Sequence, residues 1–453
     1  MRRLASLTKI SQRIANRETS AYETIRATLD WISRVDPLVH AQVHVLDDAL
    51  DRARQIDRSI AAGTIGPLAG VPVGVKDLID VTGFESRAGL PQPWRAPAAE
   101  DASIVRRLRE AGAVVVSKTV THELAYGVHS PPTRNPWDTT LGPGGSSGGS
   151  AVAVATGMAA MALGTDTAGS VRIPAALCGT VGFKPTFETV PTDGVLPLAW
   201  SLDHVGWLVR DAADVGLIHR SLGLGTDAPA VTTDHLVVGI ADQLQPEVIE
   251  PRIAQHVTDV VAGLADRGAR IERVELPSSV QAMDVHGLIM RAEASSRHHA
   301  TVAANPQLVS VVTQGLLALG ETIGATAYLD AQRVRRLIAA ELDRAFEHVD
   351  VLVAPTTTTV AAPPGTATVT VDGREVGYAS ALVQLCVLAN LAGVPAVSIP
   401  FIAPGEPPCG VQLIGPRGSD QKTTEIAAVV QRAIEPTGLP TACADDLPDV
   451  LAA

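Results

Sequence analysis

Apolar and polar positions alternate along the chain in runs of two kinds. Residues 1 to about 62 read as helices, because apolar residues recur every three to four positions through Ala21–Trp31 and Val43–Ile60 with charges between them. Gly66-Pro67-Leu68-Ala69-Gly70 breaks that pattern, and Val71–Val75 is a short apolar run of strand type ending at Lys76-Asp77. Ser103–Ala111 predicts a helix with Asp101 as its cap, and Val114–Val116 predicts a strand. The nearly apolar stretch Ala151–Leu163 predicts a buried helix. Strand–helix–strand patterning returns over Leu236–Leu276, and residues 279–348 read as largely helical. Val351–Ala354 and Val394–Ile399 predict strands, and 419–436 a last helix. This alternation places the chain in the α/β class, a sheet with helices on its faces.

Composition narrows the picture. Of 453 residues, 46% are apolar, which excludes wholesale disorder, and only 3% are aromatic, so the core is built from Ala, Val, Leu and Ile. A formal net charge of −12 argues against a nucleic-acid surface. The run 151–163 is interrupted by Thr156-Gly157 and falls short of the ~20 residues that span a bilayer, so no membrane partner is expected. Arg2-Arg3 is followed by LASLTKISQRIA, which lacks the apolar core of a signal peptide. Cys178, Cys386, Cys409 and Cys443 are scattered, with no C-x-x-C pair, and suggest neither a zinc site nor a disulfide framework. The expectation is a cytoplasmic protein. No repeat or long linker divides the chain, so one large unit is compatible with its length.

Three segments carry candidate chemistry. The first is Gly142-Pro143-Gly144-Gly145-Ser146-Ser147-Gly148-Gly149-Ser150-Ala151. No Lys follows to make it a phosphate loop. Ser147 stands where a dinucleotide fingerprint needs its third glycine. Gly144–Gly148 does satisfy the G-x-S-x-G nucleophile elbow. A flexible linker fits poorly, since an apolar helix follows at once. The second segment is Gly164-Thr165-Asp166-Thr167-Ala168-Gly169-Ser170-Val171-Arg172-Ile173-Pro174. Pro174 suits a first helical turn, which puts Ser170 in a loop before a helix, and successive N–H groups from Thr167 to Ser170 form a candidate anion nest. The third is Lys76, placed directly after a buried-type strand; by itself such a Lys ends a strand at solvent. Asp166 and Arg172 read as a bracing pair. His122, His204 and His298-His299 lack ligand spacing, so no metal or other cofactor is expected. Tyr126 and Gly127, after the helix-like Thr121–Ala125, are candidates for the pocket border, with Gly145 a third substrate contact. Trp200 and Trp207 could be channel or core.

Together these segments resemble the amidase signature family. The likeness extends over Gly66–Asp77, the GGSSGGS run, Gly164–Pro174, Gly182-Phe183-Lys184-Pro185-Thr186, Ser201-Leu202-Asp203-His204-Val205-Gly206, Ala354-Pro355-Thr356-Thr357, Asn390-Leu391-Ala392-Gly393-Val394-Pro395 and Gly410–Gly415. It covers roughly residues 20–430 in the family's order. The resemblance implies a single large α/β domain: a central mixed, twisted sheet surrounded by helices, with residues 1–62 as an N-terminal helical segment, 63–453 as the α/β unit, and 279–348 as its variable, substrate-selecting part. It implies a Ser-Ser-Lys triad: Ser170 as acyl-accepting nucleophile, Ser146 as bridging serine after a cis peptide bond, and Lys76 as base. The N–H groups of Thr167, Ala168, Gly169 and Ser170 would then hold the oxyanion. The chain departs from the family in having Ala168-Gly169 where two glycines are common. For Lys76 to act as base it must be neutral, which a dry, glycine-lined pocket favours, and Asp77 is expected to point elsewhere.

The resemblance further implies hydrolysis of a small amide, anilide, carbamate or ester. Leu288, Ile289, Met290, Leu316, Leu317 and Leu319 in the variable region tilt the expectation toward an apolar or aromatic substrate group. Two alternatives stand beside it: an allophanate- or urea-type amide hydrolase, for which Arg291 and Arg297 are the candidate carboxylate ligands, and the catalytic A-type subunit of a tRNA-dependent amidotransferase. Glu293-Ala294-Ser295-Ser296 resembles that subunit, but Arg297-His298-His299-Ala300 stands where its next motif is expected. Family members often form homodimers through the N-terminal helices, and the sequence does not decide this for the present chain.

Overall fold

The computed structural model describes residues 4–225, 231–403, 405–434, 440 and 448–452. Arg2-Arg3, Cys443 and residues 435–436 of the predicted last helix lie outside them. The elements in chain order are α1 (Leu7–Ala15), α2 (Ala21–Val39), β1 (Gln42–Val45), α3 (Ala49–Ala61), β2 (Pro72–Lys76), α4 (Ser103–Glu110), β3 (Val114–Thr119), α5 (Gly148–Ala155), β4 (Met161–Asp166), α6 (Arg172–Cys178), β5 (Val181–Lys184), β6 (His204–Val209) and α7 (Ala212–Ser221). They continue with β7 (Val237–Ile240), α8 (Pro251–Ala265), β8 (Arg270–Arg273), α9 (Ala282–Ala304), α10 (Val311–Glu321), α11 (Ala325–Ala345), β9 (Val351–Pro355), the hairpin β10 (Thr368–Val371) and β11 (Arg374–Gly377), α12 (Tyr378–Val383), α13 (Val387–Ala392), β12 (Ala396–Phe401), β13 (Cys409–Ile414) and α14 (Asp420–Ile434).

Among the described residues eleven strands form one mixed sheet in the order β1-β3-β2-β4-β6-β5-β12-β13-β9-β7-β8. β2 runs parallel to both β3 and β4, whereas β4–β6, β5–β6, β5–β12 and β12–β13 are antiparallel. The central strands β2, β3, β4, β5, β6, β9 and β13 are buried at every position, which explains their continuous apolar runs where a half-exposed sheet would alternate.

Three local expectations are corrected. Residues 1–62 are not wholly helical, because Gln42–Val45 pairs antiparallel with β3 as the edge strand β1. The run Ala151–Leu163 is not one helix. Gly157 adopts φ +79°, a left-handed conformation open to glycine, so α5 stops at Ala155 and the chain re-enters the sheet as β4. Asp101 does not cap α4: its carboxylate accepts from Thr82 N–H and pairs with Arg109. The predicted helices over 279–348 are α9, α10 and α11.

Candidate active site

The parallel strands β2 and β4 end side by side, Val75 opposite Leu163, so Lys76 and the Thr165-Asp166 pair emerge together at the carboxyl edge of the sheet. In sheets of this type that edge is where loops converge on a site. Lys76 is completely buried, and its Nζ lies 2.8 Å from Ser146 Oγ, 2.9 Å from Ser147 Oγ and 2.7 Å from Thr165 Oγ1. Burial lowers its pKa from 10.5 to about 7, against the opposing pull of Asp166 and Asp203. Asp77 turns away: its carboxylate meets Lys118 Nζ at 2.8 Å and takes the N–H of Arg87 at 2.8 Å.

The glycine–serine run crosses directly over Lys76. The Gly145–Ser146 peptide is cis. Gly145 has no room for a side chain, since a Cβ there would lie 2.3 Å from His129 O. Ser130 fastens the run by donating from its hydroxyl to the carbonyls of Gly144 and Ser146, each at 3.1 Å, while accepting Gly148 N–H at 3.0 Å. The run is joined to the second segment by Ser147 N–H donating to Ser170 O at 3.1 Å. Ser170 is 6% exposed, and its hydroxyl has no hydrogen-bond partner among the described residues.

Asp166 organises the loop around Ser170. Its carboxylate accepts from Gly169 N–H at 2.9 Å, Val171 N–H at 3.2 Å and the Arg172 guanidinium at 3.0 Å through both Nε and Nη2. Burial alone would raise the Asp166 pKa, but Arg172 overrides it and holds the carboxyl well below the usual range. Arg172 is completed by Gln412 Oε1 at 2.9 Å and Asn390 Oδ1 at 2.7 Å. The late motifs containing those residues therefore act as supports for the buried ion pair. Gly169 N–H is committed to Asp166, whereas the N–H groups of Thr167, Ala168 and Ser170 have no partner among the described residues.

A cavity of about 230 Å³ opens beside this centre, lined by Ala125, Thr165, Thr167, Leu198, Trp200 and Asp203 among others. The two tryptophans separate here. Trp200 is half exposed on the cavity, while Trp207 is fully buried and donates from Nε1 to His219 Nε2 at 3.1 Å. Tyr126 is not among the residues lining this cavity; it is packed with Leu78, Leu196 and Leu198, its hydroxyl has no partner among the described residues, and burial pushes its pKa up to about 12. Gly127 lies against His122, whose ring would meet a Cβ at 2.2 Å. Of the variable-region apolar residues, Ile289 and Leu317 are core and Leu319 is exposed. Met290 and Leu316 pack onto the Tyr126 cluster.

The geometry adds residues that sequence reasoning passed over. Ser147 and Thr165 share Lys76 with Ser146, yet within their motifs the implied parts fall to Ser146 and to Thr167–Ser170, not to them. Ser130 and His286 carry no sequence signal. No group of three or more His, Cys, Asp or Glu side chains suited to a metal occurs among the described residues. His298 instead binds Pro197 O at 2.7 Å, and His299 lies 3.1 Å from Glu321. No helix of the described residues is long and apolar enough to cross a membrane. A buried amine under three hydroxyls, together with a Ser170 hydroxyl and Thr167, Ala168 and Ser170 N–H groups that have no partner among the described residues, is an arrangement suited to acyl transfer.

Comparison with known proteins agrees with that class. Residues 23–424 match the family described as Amidase, and the chain belongs to the amidase signature family of C–N hydrolases. It is 37% identical over 413 residues to an amidase of Pseudomonas putida, covering 87% of this chain and 88% of that one. It is 35% identical over 483 residues to the A-type subunit of glutamyl-tRNA(Gln) amidotransferase from Thermobifida fusca (strain YX), covering 95% of each. A crystal structure of an amidase superposes with a TM-score of 0.89 at 32% identity, covering 95% of this chain and 100% of that one. The α/β fold with a large mixed sheet flanked by helices is the fold of those enzymes.

Proposed function

We propose that the protein is a serine amidohydrolase that cleaves a small amide, anilide, carbamate or ester with an apolar or aromatic group, through an acyl-enzyme on Ser170. The observation that carries this reading is the buried Lys76 Nζ, 2.8 Å from Ser146 Oγ, with a pKa lowered to about 7. A neutral amine has two hydrogens and one lone pair, so one of its three hydroxyl neighbours must donate to it. Ser147 directs its own hydrogen to Thr165 O at 3.2 Å, which leaves Ser146 or Thr165 as the donor. Ser146 then passes its proton to Lys76 as it takes the proton of Ser170. The Ser170 oxygen attacks the carbonyl carbon, and the carbonyl oxygen becomes an oxyanion held by the N–H groups of Thr167, Ala168 and Ser170. The proton returns through Ser146 to the leaving nitrogen or oxygen as its bond to carbon breaks. Water enters by the same route and releases the acid. Residues 279–348 are assigned to substrate selection.

The amidotransferase relative keeps a tRNA-dependent reading in second place. Against it, Glu293 of the shared motif serves to hold Ser201 and Tyr328, and His298 of the divergent stretch braces Pro197. A panel of anilide, carbamate, primary-amide, urea and glutamine substrates, run on the isolated chain and on Ser170→Ala, tests the proposal. Turnover of anilides or carbamates that vanishes in Ser170→Ala is expected. Turnover of glutamine alone, or activity that survives in Ser170→Ala, contradicts it.

A further inference from the structure

We propose that His286 is a positioning residue for this chemistry: through the Thr167 carbonyl it aims the Ala168 N–H at the oxyanion. His286 belongs to α9 and is 3% exposed. Its Nε2 lies 2.8 Å from Thr167 O. A carbonyl oxygen only accepts, so Nε2 carries the hydrogen. Burial lowers the imidazole pKa to about 4, so at neutral pH the ring is the neutral Nε2–H tautomer. The side chain of the same residue is held from the other direction, Thr167 Oγ1 donating to Asp203 Oδ1 at 2.6 Å. Asp203 in turn accepts Leu198 N–H at 2.8 Å and Ala199 N–H at 3.0 Å. Thr167 is thus clamped at hydroxyl and carbonyl by two separate parts of the fold.

The consequence follows from peptide planarity. The cis bonds among the described residues lie elsewhere, at Pro131–Pro132 and Gly145–Ser146, so the Thr167–Ala168 peptide is trans. In a trans peptide the carbonyl and the next N–H point in opposite directions. Holding Thr167 O toward α9 therefore turns the Ala168 N–H away from α9. Ala168 is only partly buried, and its N–H has no partner among the described residues. Its neighbour Gly169 is already engaged by Asp166. His286 thereby ties an oxyanion donor to α9, so repacking α9 alters rate.

This inference rests on Ser170 being the nucleophile, and the test separates the two. Wild type, His286→Leu, His286→Gln, Ser170→Ala and the control Ser295→Ala are compared on a p-nitroanilide that wild type turns over, and on inhibition by a trifluoromethyl ketone. Ser295 sits on the same helix and donates to Leu317 O at 2.7 Å, away from the Thr167 loop. His286→Leu is expected to lose about 30-fold or more in kcat with KM within about threefold, a fraction of what a complete oxyanion donor is worth. Its affinity for the ketone falls in parallel. His286→Gln, which restores an N–H, recovers most of the rate, and Ser295→Ala loses thermal stability while keeping its kcat. Full kcat in His286→Leu, or an equal kcat loss in Ser295→Ala, overturns the inference. Should His286→Leu not fold, His286→Asn serves in its place, since its amide is too short to reach Thr167 O. A slow Asn variant beside a fast Gln variant supports the inference, and equal rates overturn it. Activity surviving in Ser170→Ala overturns the reading of the site itself.

Discussion

Lys76 and Asp77 are adjacent in sequence and face opposite partners: the amine meets three hydroxyls, and the carboxylate meets Lys118 at 2.8 Å. Asp77 lies in the turn just past the end of β2, where its carboxylate is taken by Lys118 and the Arg87 N–H, so it does not neutralise the Lys beside it. The amine is left buried with no direct anionic partner among the described residues, and its pKa falls from 10.5 to about 7. Only the neutral form accepts a proton. The value of kcat/KM is therefore expected to fall about tenfold per unit below pH 7 and to level off above it. A pH–rate profile checks this, and a plateau extending unchanged to pH 5 would speak against Lys76 as the base.

Ser147 and Thr165 accept hydrogen bonds from Lys76 at 2.9 and 2.7 Å and so favour its charged form. Removing either acceptor should make the amine easier to neutralise. Thr165→Val is expected to shift the midpoint of the pH–rate profile downward by about one unit. An upward shift would mean that these hydroxyls favour the neutral amine.

The ion pair of Asp166 with Arg172 is fully buried and is completed by Gln412 and Asn390. Deleting one partner of such a pair leaves an uncompensated charge, at a cost of about 3–5 kcal/mol. Arg172→Met is expected to lose stability on that scale in urea unfolding and to lose activity with it, because Asp166 also fixes the Gly169 and Val171 amides. Asn390→Ala should show a smaller loss of the same kind.

The two tryptophans near the Ser201–Gly206 motif should behave differently. Trp200→Ala opens the cavity and is expected to raise KM for aryl substrates with little change in Tm. Trp207→Ala empties a core position and is expected to cost about 3–5 kcal/mol of stability while leaving KM unaltered in the protein that folds. Steady-state kinetics and thermal unfolding on both variants check the contrast.

Much of this is readable from residue order because the glycine–serine segments and the strand-end Lys are local signals. The sheet class and the helices of 279–348 follow from periodicity. β1 escapes such a reading because Val43 and Val45 also fit the helical spacing of their neighbours, and only pairing with β3 makes Gln42–Val45 a strand. Ala151–Leu163 looks uniform because both its helix and its strand are buried. The partners of Lys76 beyond Ser146, and the clamps on Thr167, arise where distant segments meet. Residues 147 and 165 become neighbours only through β2 and β4, and nothing in the local pattern of α9 marks His286.

In the proposed reaction Ser170 is the nucleophile and Lys76 the group that activates it. Peptide mass spectrometry after treatment with phenylmethylsulfonyl fluoride at pH 8 tests this most directly. A single adduct on Ser170 is expected, formed at least about 100-fold more slowly in Lys76→Ala. An adduct on Ser146, or labelling of Ser170 at an undiminished rate in Lys76→Ala, would contradict it.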